Sequence, residues 1–139
     1  MAETGGKSPL TTEIASHQDA GIADTLLSGP GIGRSPGNGF LEFDISQSHP
    51  LVSLVSMIAP SPDWFVGVHD LSLLVDGNWV DELVIDLEAY DAGTDSGTTY
   101  TSANQRTSPQ ATITRFTESP LAASDNLPPL GQFIFTRIE

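Results

Sequence analysis

Leu71-Ser-Leu-Leu-Val-Asp-Gly-Asn-Trp-Val-Asp-Glu-Leu-Val-Ile-Asp-Leu-Glu88 carries the pattern that decides the fold. Leu71 to Val75 has the length and aliphatic content of a short strand, and Asp76-Gly77 is a hairpin turn signal. From Trp79 to Glu88 apolar and acidic residues alternate: Trp79, Leu83, Ile85 and Leu87 share one pleat face, and Glu82, Asp86 and Glu88 the other, with Asp81 as the exception. Upstream, Trp64 to Val68 and the apolar run Leu51 to Ala59, closed by Pro60-Ser61-Pro62, read as strands. Leu41, Phe43 and Ile45 alternate with Glu42, Asp44 and Ser46 and predict one more, with its carboxylates on the polar face. Downstream, Ala111 to Phe116 and Gln132 to Ile138 complete the set. About seven short strands separated by turn clusters predict an all-β fold, an antiparallel sandwich or barrel.

The first quarter is different. Ser8 reads as a helix cap with Pro9 in the first turn, and Leu10, Ile14, Ile22 and Leu26 as an apolar stripe interrupted by Gly21. Ser28-Gly-Pro-Gly-Ile-Gly-Arg-Ser-Pro-Gly-Asn-Gly39 then forbids regular structure. One domain over residues 1–139 is expected, with a short helix near its N-terminus and no internal repeat.

Charge narrows the function. Lys+Arg 5 against Asp+Glu 18 gives a net charge of −13, and five scattered cations make no basic stripe for nucleic acid or anionic lipid. No run approaches the ~18 apolar residues of a membrane span, and no charged-then-apolar leader opens the chain. Without cysteine there is no disulfide framework, thiol nucleophile or thiolate-bound metal. The chain is rich in turn formers, Gly 13 and Pro 10, yet 38% hydrophobic residues suffice for a core.

No Lys or Arg occurs between Ser35 and Gln105, so every acid from Glu42 to Asp95 stands in a stretch without a cation. Such a run is in the simplest case a solvated face. The most loaded segment is Tyr90-Asp-Ala-Gly-Thr-Asp-Ser-Gly97, where Asp91 and Asp95 flank Gly93, at which the backbone can turn back and aim both carboxylates into one concavity. Two such groups ~4 Å apart repel by roughly 1 kcal/mol even at water's dielectric, and a hard metal ion is the economical counter-charge. Calcium takes six to eight oxygens and suits loops at a sandwich end. Asp63, on a loop stiffened by Pro60 and Pro62, is the natural third ligand, and Asp44 a fourth candidate. Zinc is disfavoured because His17, His49 and His69 lack ligand spacing, and Ser102 at the twelfth position from Asp91 excludes an EF-hand.

Other chemistries compete. Asp95-Ser96-Gly97 fits the signature of a dimeric aspartic hydrolase, but Gly93-Thr94 replace the apolar residues that normally precede it. A glycosidase carboxylate pair is unconstrained among so many acids, and no Gly-x-Ser-x-Gly elbow is present. Trp64 and Trp79 fit either a ligand platform or the core and rim of a sandwich.

Pro60-Ser-Pro-Asp-Trp-Phe-Val-Gly-Val68, Leu71-Ser-Leu73, Gly77-Asn-Trp79, and Asp86-Leu87 leading to Tyr90-Asp-Ala-Gly-Thr-Asp-Ser-Gly97 resemble the spondin amino-terminal domain, the module of F-spondin and mindin. Weaker resemblance covers Ala2 to Ile14 and Phe40 to Leu54. It implies a C2-like antiparallel β-sandwich that binds one calcium ion at a loop end. It also implies a secreted, non-enzymatic module that binds a cell-surface receptor or a matrix or glycan component. The family's calcium aspartates fall on Asp63, Asp91 and Asp95, and a further acid of some relatives on Asp44. Two departures are evident: Leu74 stands where animal relatives carry a cysteine, and the family's first strands precede the segment that resembles Ala2 to Ile14, so the domain is expected to lack them.

Overall fold

The computed structural model describes residues 1–117, 121 and 129–138. They fall into two compact units, one of Lys7–Pro50 and one of Met1–Gly6 with Leu51–Glu139.

In the smaller unit, helix α1 runs over Ser8–Asp19 with Pro9 in its first turn. It begins one residue before the predicted start, so Lys7 rather than Ser8 is the cap; the Ser8 carbonyl instead accepts the hydroxyls of Thr11 (2.8 Å) and Thr12 (3.0 Å). Gly21 is the stop. At φ +69° it donates its N–H to the Gln18 carbonyl while Ile22 donates to His17, the paired bonds of a Schellman cap. Ile22 and Leu26 therefore lie beyond the helix rather than on its stripe, and no residue of α1 is buried. The strand expected over Leu41 to Ile45 does not form; only an isolated bridge, Ser46 to His49, follows it. Alternation marks a chain suited to a sheet face, but a strand exists only where a neighbour takes its N–H and C=O groups, and these residues join no ladder.

The larger unit is all-β and antiparallel, with a sandwich-like arrangement. Strands β1 (Leu51–Met57), β2 (Trp64–Ser72), β3 (Leu74–Val75), β4 (Asn78–Trp79), β5 (Glu82–Asp86), β6 (Ala89–Asp91), β7 (Thr114–Arg115) and β8 (Gln132–Thr136) form a four-stranded sheet, β1-β2-β6-β7, and two ribbons, β3-β4 and β5-β8. Asp76 and Gly77, both at positive φ, close the two-residue β3-β4 hairpin as predicted. The long alternating segment is split: Trp79 pairs with Leu74 in the hairpin, whereas Glu82–Asp86 pairs with β8, so the chain changes partner at Val80-Asp81. Likewise Leu71 and Ser72 finish β2, and only Leu74–Val75 form β3.

Trp64 and Val66 point inward from β2, and Trp64 packs with Ala89, Leu121, Ile58 and Phe116. Its ring meets Phe116 and Tyr100 edge-on, with centroids 5.2 and 5.1 Å away. That packing anchors the start of β2, and with it the preceding residue, Asp63.

Candidate functional site

Asp63 leaves the Pro60-Ser61-Pro62 turn at the mouth of β2. Ser61 ties the turn down by accepting the Trp64 N–H at 3.1 Å and donating its hydroxyl to the Ile58 carbonyl. Register does the rest: Trp64 lies opposite Asp91 across the β2-β6 pair, so Asp63 and the end of β6 share one end of the sheet. The Ala92 N–H donates to the Asp63 carbonyl at 3.2 Å.

From the last residue of β6 onward the chain repeats a three-residue unit, Asp91-Ala-Gly93 and Asp95-Ser-Gly97. In both, the aspartate Oδ1 accepts the N–H of the glycine two residues on, at 2.7 Å. Gly93 sits at φ +72°, and a Cβ there would run into the Ala111 carbonyl oxygen. Residues 94–107 then fold back on themselves: Ser96 donates to Gln105 and Thr107 to Thr94, each at 2.9 Å, and Asp95 forms a backbone bridge with Arg106.

Asp63 is fully buried and Asp95 is 3% exposed. Asp63 Oδ2 accepts three donors, the N–H groups of Thr94 (2.7 Å) and Asp95 (3.0 Å) and the Thr94 hydroxyl (3.1 Å). Asp63 Oδ1, equally buried, has no hydrogen-bond partner among the described residues. Asp95 accepts Gly97 on Oδ1 and the Gln105 N–H on Oδ2 at 2.8 Å. The Asp91 carboxyl is held above the usual carboxylate range, first by burial and then by the charges of Asp63 and Asp95, against the lowering effect of its bond from Gly93. The side-chain ion pairs among the described residues lie elsewhere, Arg115 with Glu88 and Arg137 with Asp81.

Asp63, Asp91 and Asp95 therefore come to one loop cluster, while Asp44 belongs to the unit of residues 7–50. Among the described residues no three acidic or histidine side chains stand in a ready-made coordinating arrangement. The donor chemistry nevertheless fits a hard cation: the side chains are carboxylates, one oxygen is buried without a hydrogen, and the third acid senses the charge of the other two. Asp95 is poorly placed for an acid dyad, being buried with both oxygens committed to backbone donors. Thr94, Gln105 and Gly97 escaped the sequence reading as site residues, although the doubled Asp-x-Gly spacing is a legible signal for paired Asx turns. Of the two tryptophans, Trp64 is buried edge-on against Tyr100 and Phe116 and offers no open platform, and Trp79 stands half-buried in the β3-β4 hairpin.

The family model described as Spondin_N matches residues 1–127. Spondin-2 from Rattus norvegicus and from Homo sapiens are each 37% identical over 148 residues, covering 99% of this chain and 45% of theirs. Spondin-1 from Xenopus laevis is 38% identical over 104 residues, 70% of this chain and 13% of its own. The chain thus spans less than half the length of these curated relatives.

Proposed function

The chain belongs to the spondin amino-terminal family, and on that premise we propose that it is a calcium-binding, non-enzymatic adhesion module of a secreted or cell-surface protein, engaging a receptor or a matrix or glycan component. The observation that carries the calcium reading is Asp63 Oδ1, a carboxylate oxygen buried without a donor in a loop cluster that no lysine or arginine side chain pairs with among the described residues. An unpaired buried charge is among the more expensive features a protein can hold, and a bound cation removes the expense.

Asp63, Asp91 and Asp95 would hold the ion. Calcium would supply charge neutralisation and join the β2 mouth to the loop after β6. The chain's own contribution is pre-organisation. The Ser61 turn, the buried Trp64 ring and the two Asx turns fix the carboxylates before any ion arrives. That arrangement supports a rigid loop end rather than catalysis, since the Asp95 oxygens and the Thr94 hydroxyl are engaged in holding the loop. No helix among the described residues is long and apolar enough to cross a membrane.

Thermal melts in EGTA and in excess calcium test the reading. At calcium tenfold above the dissociation constant, RT ln(1 + 10) is about 1.4 kcal/mol, a rise of about 3–6 °C in Tm. Identical melts in both conditions overturn it.

A further inference from the structure

Asn38 is the middle residue of Gly37-Asn38-Gly39, in the irregular stretch that follows α1. Asn38 and Gly39 are exposed and lie in no helix or strand, and the Gly39 N–H donates to no backbone carbonyl among the described residues. The other asparagines differ. Asn78 sits in β4 with its Nδ2 donating to the Asp76 carbonyl at 3.1 Å, and its successor Trp79 is paired with Leu74. Asn104 precedes Gln105, whose N–H is donated to Asp95 Oδ2 at 2.8 Å. Asn126 lies outside the described residues.

We propose that Asn38 is a site of spontaneous modification, converting through a succinimide to aspartate and isoaspartate without an enzyme. The Gly39 nitrogen attacks the side-chain carbonyl carbon of Asn38 and forms a C–N bond; the proton it gives up goes to the departing NH₂, which leaves as ammonia. Water then opens the ring. Opening at the side-chain carbonyl yields aspartate, and opening at the main-chain carbonyl yields isoaspartate, with the peptide running through the side chain. The attack needs a successor nitrogen that is free, unshielded by a Cβ and outside any ladder, because side chain and backbone must rotate onto one another. Of the three described asparagines, Asn38 alone meets these conditions: Trp79 shields its nitrogen with a large side chain, and Asp95 holds that of Gln105. The product adds a carboxylate to a chain already at −13, in a glycine-rich stretch whose one cation is Arg34. The proposal does not rest on the calcium reading.

The test ages the full chain in neutral buffer at physiological temperature and follows it by intact mass, peptide mapping and hydroxylamine, which cleaves at a succinimide. Exchange of NH₂ for OH raises the mass, whereas isomerisation of Asp76 before Gly77 does not, so the gain reports asparagine alone. Conversion should begin at Asn38, with isoaspartate the larger product, and hydroxylamine should split the chain between Asn38 and Gly39. Asn38→Gln should abolish the early mass gain. Gly39→Val, whose Cβ would meet Ile32 and Pro30 at ordinary contact distance, should slow conversion at least about tenfold by shielding the nitrogen and stiffening the backbone. Ageing in denaturant separates the open loop from the bare dipeptide: the native chain should convert within about fivefold of the unfolded rate. Conversion that begins at Asn78 or Asn104, an undiminished mass gain in Asn38→Gln, equal rates in the parent and Gly39→Val, or a native rate more than about fivefold below the unfolded one each overturns the proposal.

Discussion

Asp63 uses its two oxygens unequally, and an amide distinguishes them. In Asp63→Asn the carbonyl oxygen can keep the position that accepts Thr94 and Asp95, leaving the NH₂ where the unpartnered Oδ1 stands. Calcium binding should vanish, and apo stability should fall less than in Asp63→Ala, because loss of the charge that faces Asp91 offsets the cost of an NH₂ buried where no acceptor stands. Asp63→Ala should lower apo stability by about 1–3 kcal/mol for each buried N–H left without an acceptor. Denaturant melts in EGTA compare the two. Asp91 adds a pH test. Its folded-state carboxyl titrates above the ordinary range, so the ionised form weakens the apo fold at neutral pH, and that penalty is relieved as pH falls through the raised value towards the unfolded one. Apo Tm should therefore rise on mild acidification by more in the parent than in Asp91→Asn. With calcium bound the sign reverses, since protons then compete with the ion. Parallel pH profiles for parent and variant in EGTA would contradict the assignment.

The elements show what pattern alone discloses. Asp76-Gly77 was legible because a two-residue turn needs both residues at positive φ and this pair tolerates it. Asp63, Asp91 and Asp95 were legible as candidates because proline and glycine punctuation placed them at turns, and register then brought the turns together. Three features were not legible. The change of partner at Val80-Asp81 is set by where β8 lies, which no local period encodes. The alternation of Leu41 to Ile45 lacks a pairing neighbour. In β2, His69 and Asp70 together oppose Ser53, with Asp70 at φ +50° donating its N–H to the Ser53 hydroxyl, and nothing in the strand pattern announces that bulge. Trp64 is the element-scale test. Trp64→Ala should lower apo stability by about 3–5 kcal/mol, as its ring fills the core at the strand mouth. Asp76→Asn, at the hairpin tip, should leave both stability and the calcium shift unchanged. A Trp64→Ala variant that melts like the parent would remove the anchor on which the site's pre-organisation depends.

For the whole molecule the dominant fact is a net charge of −13. Self-repulsion of that size weakens the compact state and is screened over a Debye length of ~10 Å at 0.1 M salt. Apo Tm should therefore rise with sodium chloride, and scanning calorimetry at low and moderate salt in EGTA measures it. Of this acidity, only the carboxylates at the β2 mouth, at the end of β6 and in the loop after it belong to the proposed metal site. A calcium response confined to Asp63 and its neighbours separates that site from general screening.

Calorimetric titration of calcium into the metal-free parent and into Asp63→Asn, at a salt concentration high enough to suppress diffuse binding, tests the central claim most directly. One saturable site in the parent, lost in Asp63→Asn and preserved in Asp76→Asn, is the predicted result. No saturable site in the parent, or the same isotherm in parent and Asp63→Asn, would contradict it.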